Sequence, residues 1–178
     1  MKYLIVALVF QLGTELLGQS PIEFEDVVAV EGVSAEELYK RAEYWAVKVY
    51  NNPDRVMQIE DPENGHITVT GGFHYNQTKK IWGAWESTAG PIRYTMDIYV
   101  RDGRYKYRIT QFSHHGSMNF GLITDADEFE GKMPLTTKGF RKKIWDDIKM
   151  QSKEKADELF ESLQKTMTTP LDSEDDNW

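Results

Sequence analysis

Four histidines are the first residues to test for chemistry, because imidazole is the commonest metal ligand and the usual base near neutral pH. His66 and His74 stand eight positions apart. On one strand, at about 3.3 Å per residue, they are about 26 Å apart, too far to share an ion. His114 and His115 are adjacent and point to opposite sides of an extended chain. One of them could join Asp125, Asp127, Glu128 and Glu130 around a hard cation, or serve as the base of a hydrolytic site. Spacing points to the plainer arrangement, a strand-end histidine pair beside a solvated acidic loop. The chain has no cysteine, which excludes disulfides, thiolate nucleophiles and cysteine-held zinc or iron–sulfur clusters. Ser113 and Ser117 are neighbours of His114 in sequence, but no Gly-x-Ser-x-Gly elbow accompanies them, and adjacency alone does not build a triad. Gly131-Lys132 is followed by Met133, and Ala126 stands where a phosphate loop requires glycine. No spacing singles out a carboxylate pair. The sequence thus predicts no catalytic residue, no metal ligand and no cofactor.

Binding is better represented. Between residues 92 and 112, Arg93, Thr95, Asp97, Tyr99 and Arg101 alternate with Ile92, Tyr94, Met96, Ile98 and Val100. After the turn Asp102-Gly103, Arg104, Lys106, Arg108 and Thr110 alternate with Tyr105, Tyr107 and Ile109. This is a hairpin with one apolar and one polar face, and by strand parity Phe112 and His114 continue the polar side. The segment carries five cations against two acids, a local +3 in a chain of net charge -8. Arg93, Tyr99, Arg101, Arg104, Lys106 and Arg108 are the candidate binding residues. They are read either as a solvated sheet face or as a surface for an acidic ligand, a glycan or an envelope protein. Trp82 and Trp85 are open to two uses, a sugar-stacking platform or packing at the sheet.

These residues need elements to hold them. Ile22, Phe24, Val28 and Val30 alternate with acids and predict a first strand over residues 22–30. Ser34 and Glu37 form a capping box, and Leu38, Ala42, Trp45, Ala46 and Val49 recur at helical spacing, predicting a helix from 35 to about 50. Strands over 55–60 and 66–75 follow, joined by Asp-Pro-Glu-Asn-Gly, a hairpin turn signal. A short extended segment is expected over 81–86, then the hairpin, then a loop over 113–137. A helix over 138–168 closes the fold. Gln151, Ser152 and Lys153 interrupt its apolar stripe, leaving a bend or two shorter helices open. Residues 169–178 read as a disordered acidic tail. Residues 21–168 form one α+β domain whose helices share one face of an antiparallel sheet and leave the other open.

The first twenty residues are separate. Lys2, the apolar run over 3–10 and the small polar residues up to Ser20 predict a cleavable signal peptide over residues 1–20, with the mature chain starting near Gln19, by cleavage after Gly18, or near Pro21. The run is shorter than the roughly 20 residues of a spanning helix. The expected location is therefore periplasmic or secreted, with no transmembrane segment after cleavage and, lacking cysteine, no lipid anchor. The net charge of -8 argues against nucleic acid as a partner, since phosphate contacts need a concentrated excess of Lys and Arg.

The residues Val28-Ala29-Val30-Glu31-Gly32-Val33-Ser34, then Glu37-Leu38-Tyr39, Ala42, Trp45, Asn64-Gly65, Gly71 and the run from Tyr94 to Tyr105 resemble an exported family of Bacteroidota, a domain of unknown function with a TBP-like fold. The resemblance covers about residues 22–112. It implies a curved antiparallel sheet carrying helices on one side, and it implies no activity, because the family has no catalytic signature to carry over. The expected function is a non-enzymatic envelope or periplasmic module acting through the exposed sheet face. The alternatives are a hydrolase or metal-dependent enzyme near His114 and the acidic loop, and a structural envelope component using the long C-terminal helix.

Overall fold

Residues 19–50, 56–76, 88–131 and 136–171 are described by the computed structural model. The alternating segments become β1 (Phe24–Ala29), β2 (Met57–Asp61), β3 (His66–Tyr75), β4 (Gly90–Arg101), β5 (Arg104–His114) and the short β6 (Gly121–Leu122); two long helices, α1 (Ala35–Val49) and α2 (Lys138–Thr168), accompany them. The sheet is antiparallel with order β1-β5-β4-β3-β2, and β6 pairs with β5 beyond the bulge.

Turn chemistry sets the register. Asp61 accepts from the Asn64 amide at 3.1 Å, and Gly65 turns at φ +63°, where a Cβ would meet Val100 O at 2.7 Å. Gly71 lies opposite Tyr94, and any side chain there would collide with the Tyr94 ring. The vacant position lets that ring lie across β3, where its hydroxyl meets Tyr50 at 3.1 Å.

Ser34 caps α1 by accepting from Glu37 N, and Thr137 caps α2 by accepting from Phe140 N. Both helices cover the face bearing Tyr75, Ile92, Met96, Ile98, Tyr105 and Ile109, all buried with Leu38, Trp45, Trp145, Leu159 and Leu163 in one core. They run antiparallel along each other. Trp45 Nε1 donates to Ser162 Oγ at 3.1 Å, and Arg41 Nη1 donates to Met167 O at 2.7 Å. Helix α2 is continuous across residues 151–153. Ser152 is fully buried in line with Ile148, Ala156, Leu159 and Leu163, so a small polar residue carries the stripe onward where its polarity reads as an interruption.

Two expectations require correction. Phe112 and His114 are buried in the core, not on the polar face. Gln111 sits at φ 58°, and between Thr95↔Thr110 and Arg93↔Ser113 two residues of β5 oppose one of β4. This β-bulge inserts an extra residue and reverses the parity beyond it. The expected loop over 113–137 also contains sheet. Beta5 runs to His114, β6 pairs with it, and Pro21 bridges Thr124. The expected segment at 81–86, most of the leader and tail residues 172–178 lie outside the described residues.

Candidate binding face

The helix-free face of the sheet collects side chains from five strands. Arg93, Tyr99, Arg101, Arg104, Lys106 and Arg108 all project from it; Lys106 and Arg108 are partly buried and the other four exposed. Strand β1, which pairs with β5, brings Glu23 and Glu25 beside them. Lys106 Nζ bonds Glu25 Oε2 at 2.7 Å and holds that carboxyl below the usual range. Arg108 stands between Glu23 at 3.9 Å and Asp97 at 3.7 Å. The cations of the hairpin are thus partly matched by acids from outside it, and the alternation of β1 already displays those acids. Their sequence neighbours do not reveal which strand β1 joins.

At the centre, Asp97 Oδ1 accepts from Thr68 Oγ1 at 2.7 Å and from His66 Nε2 at 3.1 Å. The His66 ring stacks on Tyr99 with centroids 4.2 Å apart. Thr68 Oγ1 also lies 3.0 Å from His66 Nε2, so the three groups close a triangle of mutual hydrogen bonds. This arrangement orients side chains and does not assemble a nucleophile, base and orienting acid in series.

Arg101 and Arg104 differ from their neighbours. They face each other directly across β4 and β5, and among the described residues neither has an ion pair. The nearest acid in sequence, Asp102, turns away to accept from Ala35 N at 2.8 Å. Like charges directly opposite each other destabilise a sheet. The two arginines flank an open hollow of about 350 Å³ lined also by Val27, Tyr99 and Lys106. Val27, an exposed β-branched residue, and the Tyr99 ring give that hollow an apolar wall. Arg93 is separated from this hollow, lining a different depression with His74, Gln111 and Ser113.

His114 is fully buried. Its Nε2 donates to Thr88 O at 3.0 Å and its Nδ1 accepts from Phe120 N at 3.3 Å. Both nitrogens serve the fold, leaving neither to act as a base. Among the described residues no three His, Asp or Glu side chains converge as a metal site, and no helix is long and apolar enough to cross a membrane.

An open antiparallel sheet with both helices on one side and a charged, aromatic-bearing face on the other defines a TBP-like α+β domain. Residues 24–115 match the family described as a domain of unknown function (DUF4468) with TBP-like fold, and the chain belongs to that family. A DUF4468 family protein from Bacteroides ovatus superposes with TM-score 0.60 at 12% identity, covering 84% of this chain and 88% of its own. A TBP-like protein from Parabacteroides distasonis gives TM-score 0.53 at 16% identity, covering 81% of this chain and 93% of its own. These likenesses establish the fold. No curated protein matches the chain in sequence.

Proposed function

We propose that this protein is an exported, non-enzymatic module that binds an acidic partner through its open sheet face, at the hollow between Arg101 and Arg104. The observation that carries this reading is the opposed arginine pair without an acid, on a face where Lys106 and Arg108 do have acids. A carboxylate or phosphate placed there would accept from two planar guanidinium forks and remove the cross-strand repulsion. Export is supported by Lys2 and the apolar run over 3–10. The contacts of Gln19 and Ser20 favour cleavage after Gly18, which keeps them. Ser20 N donates to Asp125 Oδ1 at 3.0 Å, and Thr124 Oγ1 donates to Gln19 Oε1 at 3.3 Å. N-terminal sequencing of the secreted or periplasmic form should begin at Gln19, and a form beginning at Met1 would refute export by this route.

The binding claim is tested by titration with poly-L-glutamate and with polygalacturonate, an acidic peptide and an acidic glycan. The R101A/R104A variant should bind the preferred probe at least tenfold more weakly and with a shallower dependence on salt. Equal binding by wild type and variant would remove the assignment.

A further inference from the structure

A second depression, of opposite charge, lies on the helix side of the sheet. Glu60 of β2 pairs with Ile67 and so shares the face that Ile67 turns to the core. Helix α1 brings Glu36, Tyr39, Lys40 and Glu43 to the same place, since residues three and four apart stand on one side of a helix. With Glu63 of the β2–β3 turn they line an open depression of about 930 Å³. Lys40 is bonded to Glu36 at 2.7 Å, whereas the carboxylates of Glu43, Glu60 and Glu63 have no ion pair or hydrogen bond among the described residues. Tyr39 is only 8% exposed, yet its hydroxyl has no hydrogen-bond partner among the described residues. Burial first, and then the charges of Glu43, Glu60 and Asp61, push the Tyr39 phenol above its usual pKa, so the hydroxyl lies in the field of those carboxylates without bonding to them.

Among the described residues no three carboxylates converge closely enough to hold a metal ion, so the cation that answers this charge must bridge wider gaps. A guanidinium does so. Its planar fork of five N–H donors can reach separate carboxylates and a phenol oxygen at once, and it sheds water more readily than an ammonium. Strand β2 supplies a backbone beside it. It ends the strand order, and among the described residues no strand pairs with its outer edge. An extended peptide added there places alternate side chains on the helix side, one of them next to Glu60. We infer that the free edge of β2 and the Tyr39 depression together dock an extended, arginine-containing segment of a partner protein, whose backbone adds to β2 and whose guanidinium bonds Glu43, Glu60 and Tyr39. This site differs from the Arg101–Arg104 hollow in charge and in face, and the two share only Asn64, Val100 and Arg101 at the tip of the molecule.

The probe is acetyl-Thr-Val-Thr-Arg-Thr-Val-Thr-amide, compared with the same peptide carrying Lys or Glu at its centre. Titrated into the 15N-enriched chain, the arginine peptide should shift the amides of Ile59, Glu60 and Asp61 and bind about three- to tenfold more tightly than the lysine peptide, and the glutamate peptide should not bind. E43Q/E60Q should weaken the arginine peptide by about tenfold or more, and Tyr39→Phe, which removes only the hydroxyl, by about two- to tenfold. Both variants should keep wild-type affinity for poly-L-glutamate, whose proposed site is the other face. Absence of binding at millimolar peptide, equal binding of the arginine and glutamate peptides, or equal binding by wild type and E43Q/E60Q overturns the inference. Self-association of the free chain that E43Q/E60Q abolishes also overturns it, by giving the depression to a second copy.

Discussion

His114 carries its proton on Nε2, because Thr88 O can only accept and the Phe120 amide can only donate. Protonating Nδ1 would set two donors against each other inside the core. Burial pushes the imidazole pKa below its usual value near 6.5, and nearby His115 and His74 push the same way, against the raising effect of the Thr88 bond. The unfolded chain therefore binds the proton more readily. The stabilising contribution of neutral His114 is complete above the unfolded pKa and is lost as pH falls from about 6.5 toward the lower folded value. Tm should drop between pH 6.5 and 5, and His114→Gln, which keeps a donor and an acceptor but does not titrate, should show a shallower drop. Parallel pH profiles would rule this out. Ser152 gives the opposite kind of test, since its buried hydroxyl has no hydrogen-bond partner among the described residues. Ser152→Ala should raise stability by about 1 kcal/mol, read by urea denaturation; a loss would mean the hydroxyl has a partner.

At the scale of elements, the strands and helices that follow a simple period were legible in the sequence. Alternation located β4 and β5, the Ser34 capping box located α1, and parity placed all five candidate cations and Tyr99 on one face. The bulge was not legible, because glutamine rarely adopts φ 58° and nothing in its side chain announces it. Parity counted through Gln111 therefore put Phe112 and His114 on the wrong side. Beta6 escaped for a related reason, being two residues held by register with β5 and having no periodicity of its own. The bulge has an energetic signature. A left-handed backbone costs an ordinary residue roughly 1–2 kcal/mol, so Gln111→Gly should be stabilising by up to about 1 kcal/mol and Gln111→Val destabilising by more than that. Chemical denaturation of the two variants checks the order, and the reverse order would deny the positive φ.

On the scale of the whole molecule, the two faces of the sheet have different duties. Ile98 is fully buried under the helices, and Ile98→Ala should cost about 2–5 kcal/mol through lost burial and the cavity left. Arg104 projects from the open side, and Arg104→Ala should change stability by no more than about 0.5 kcal/mol in a thermal melt. A large loss at Arg104 with tolerance at Ile98 would exchange the faces. The site itself was legible only in part. Arg101 and Arg104 stood out as charges, yet their isolation depends on β1 carrying Glu23 and Glu25 to Arg108 and Lys106 from far away in the chain. That distant pairing also dictates an order of assembly. Strands β2 to β5 meet partners that neighbour them in sequence, whereas Phe24 of β1 has none until Ile109 exists. Closing so long a loop is entropically slow, so the strand made first joins the sheet last, and the lattice of acids and bases on the open face is completed only in that final step.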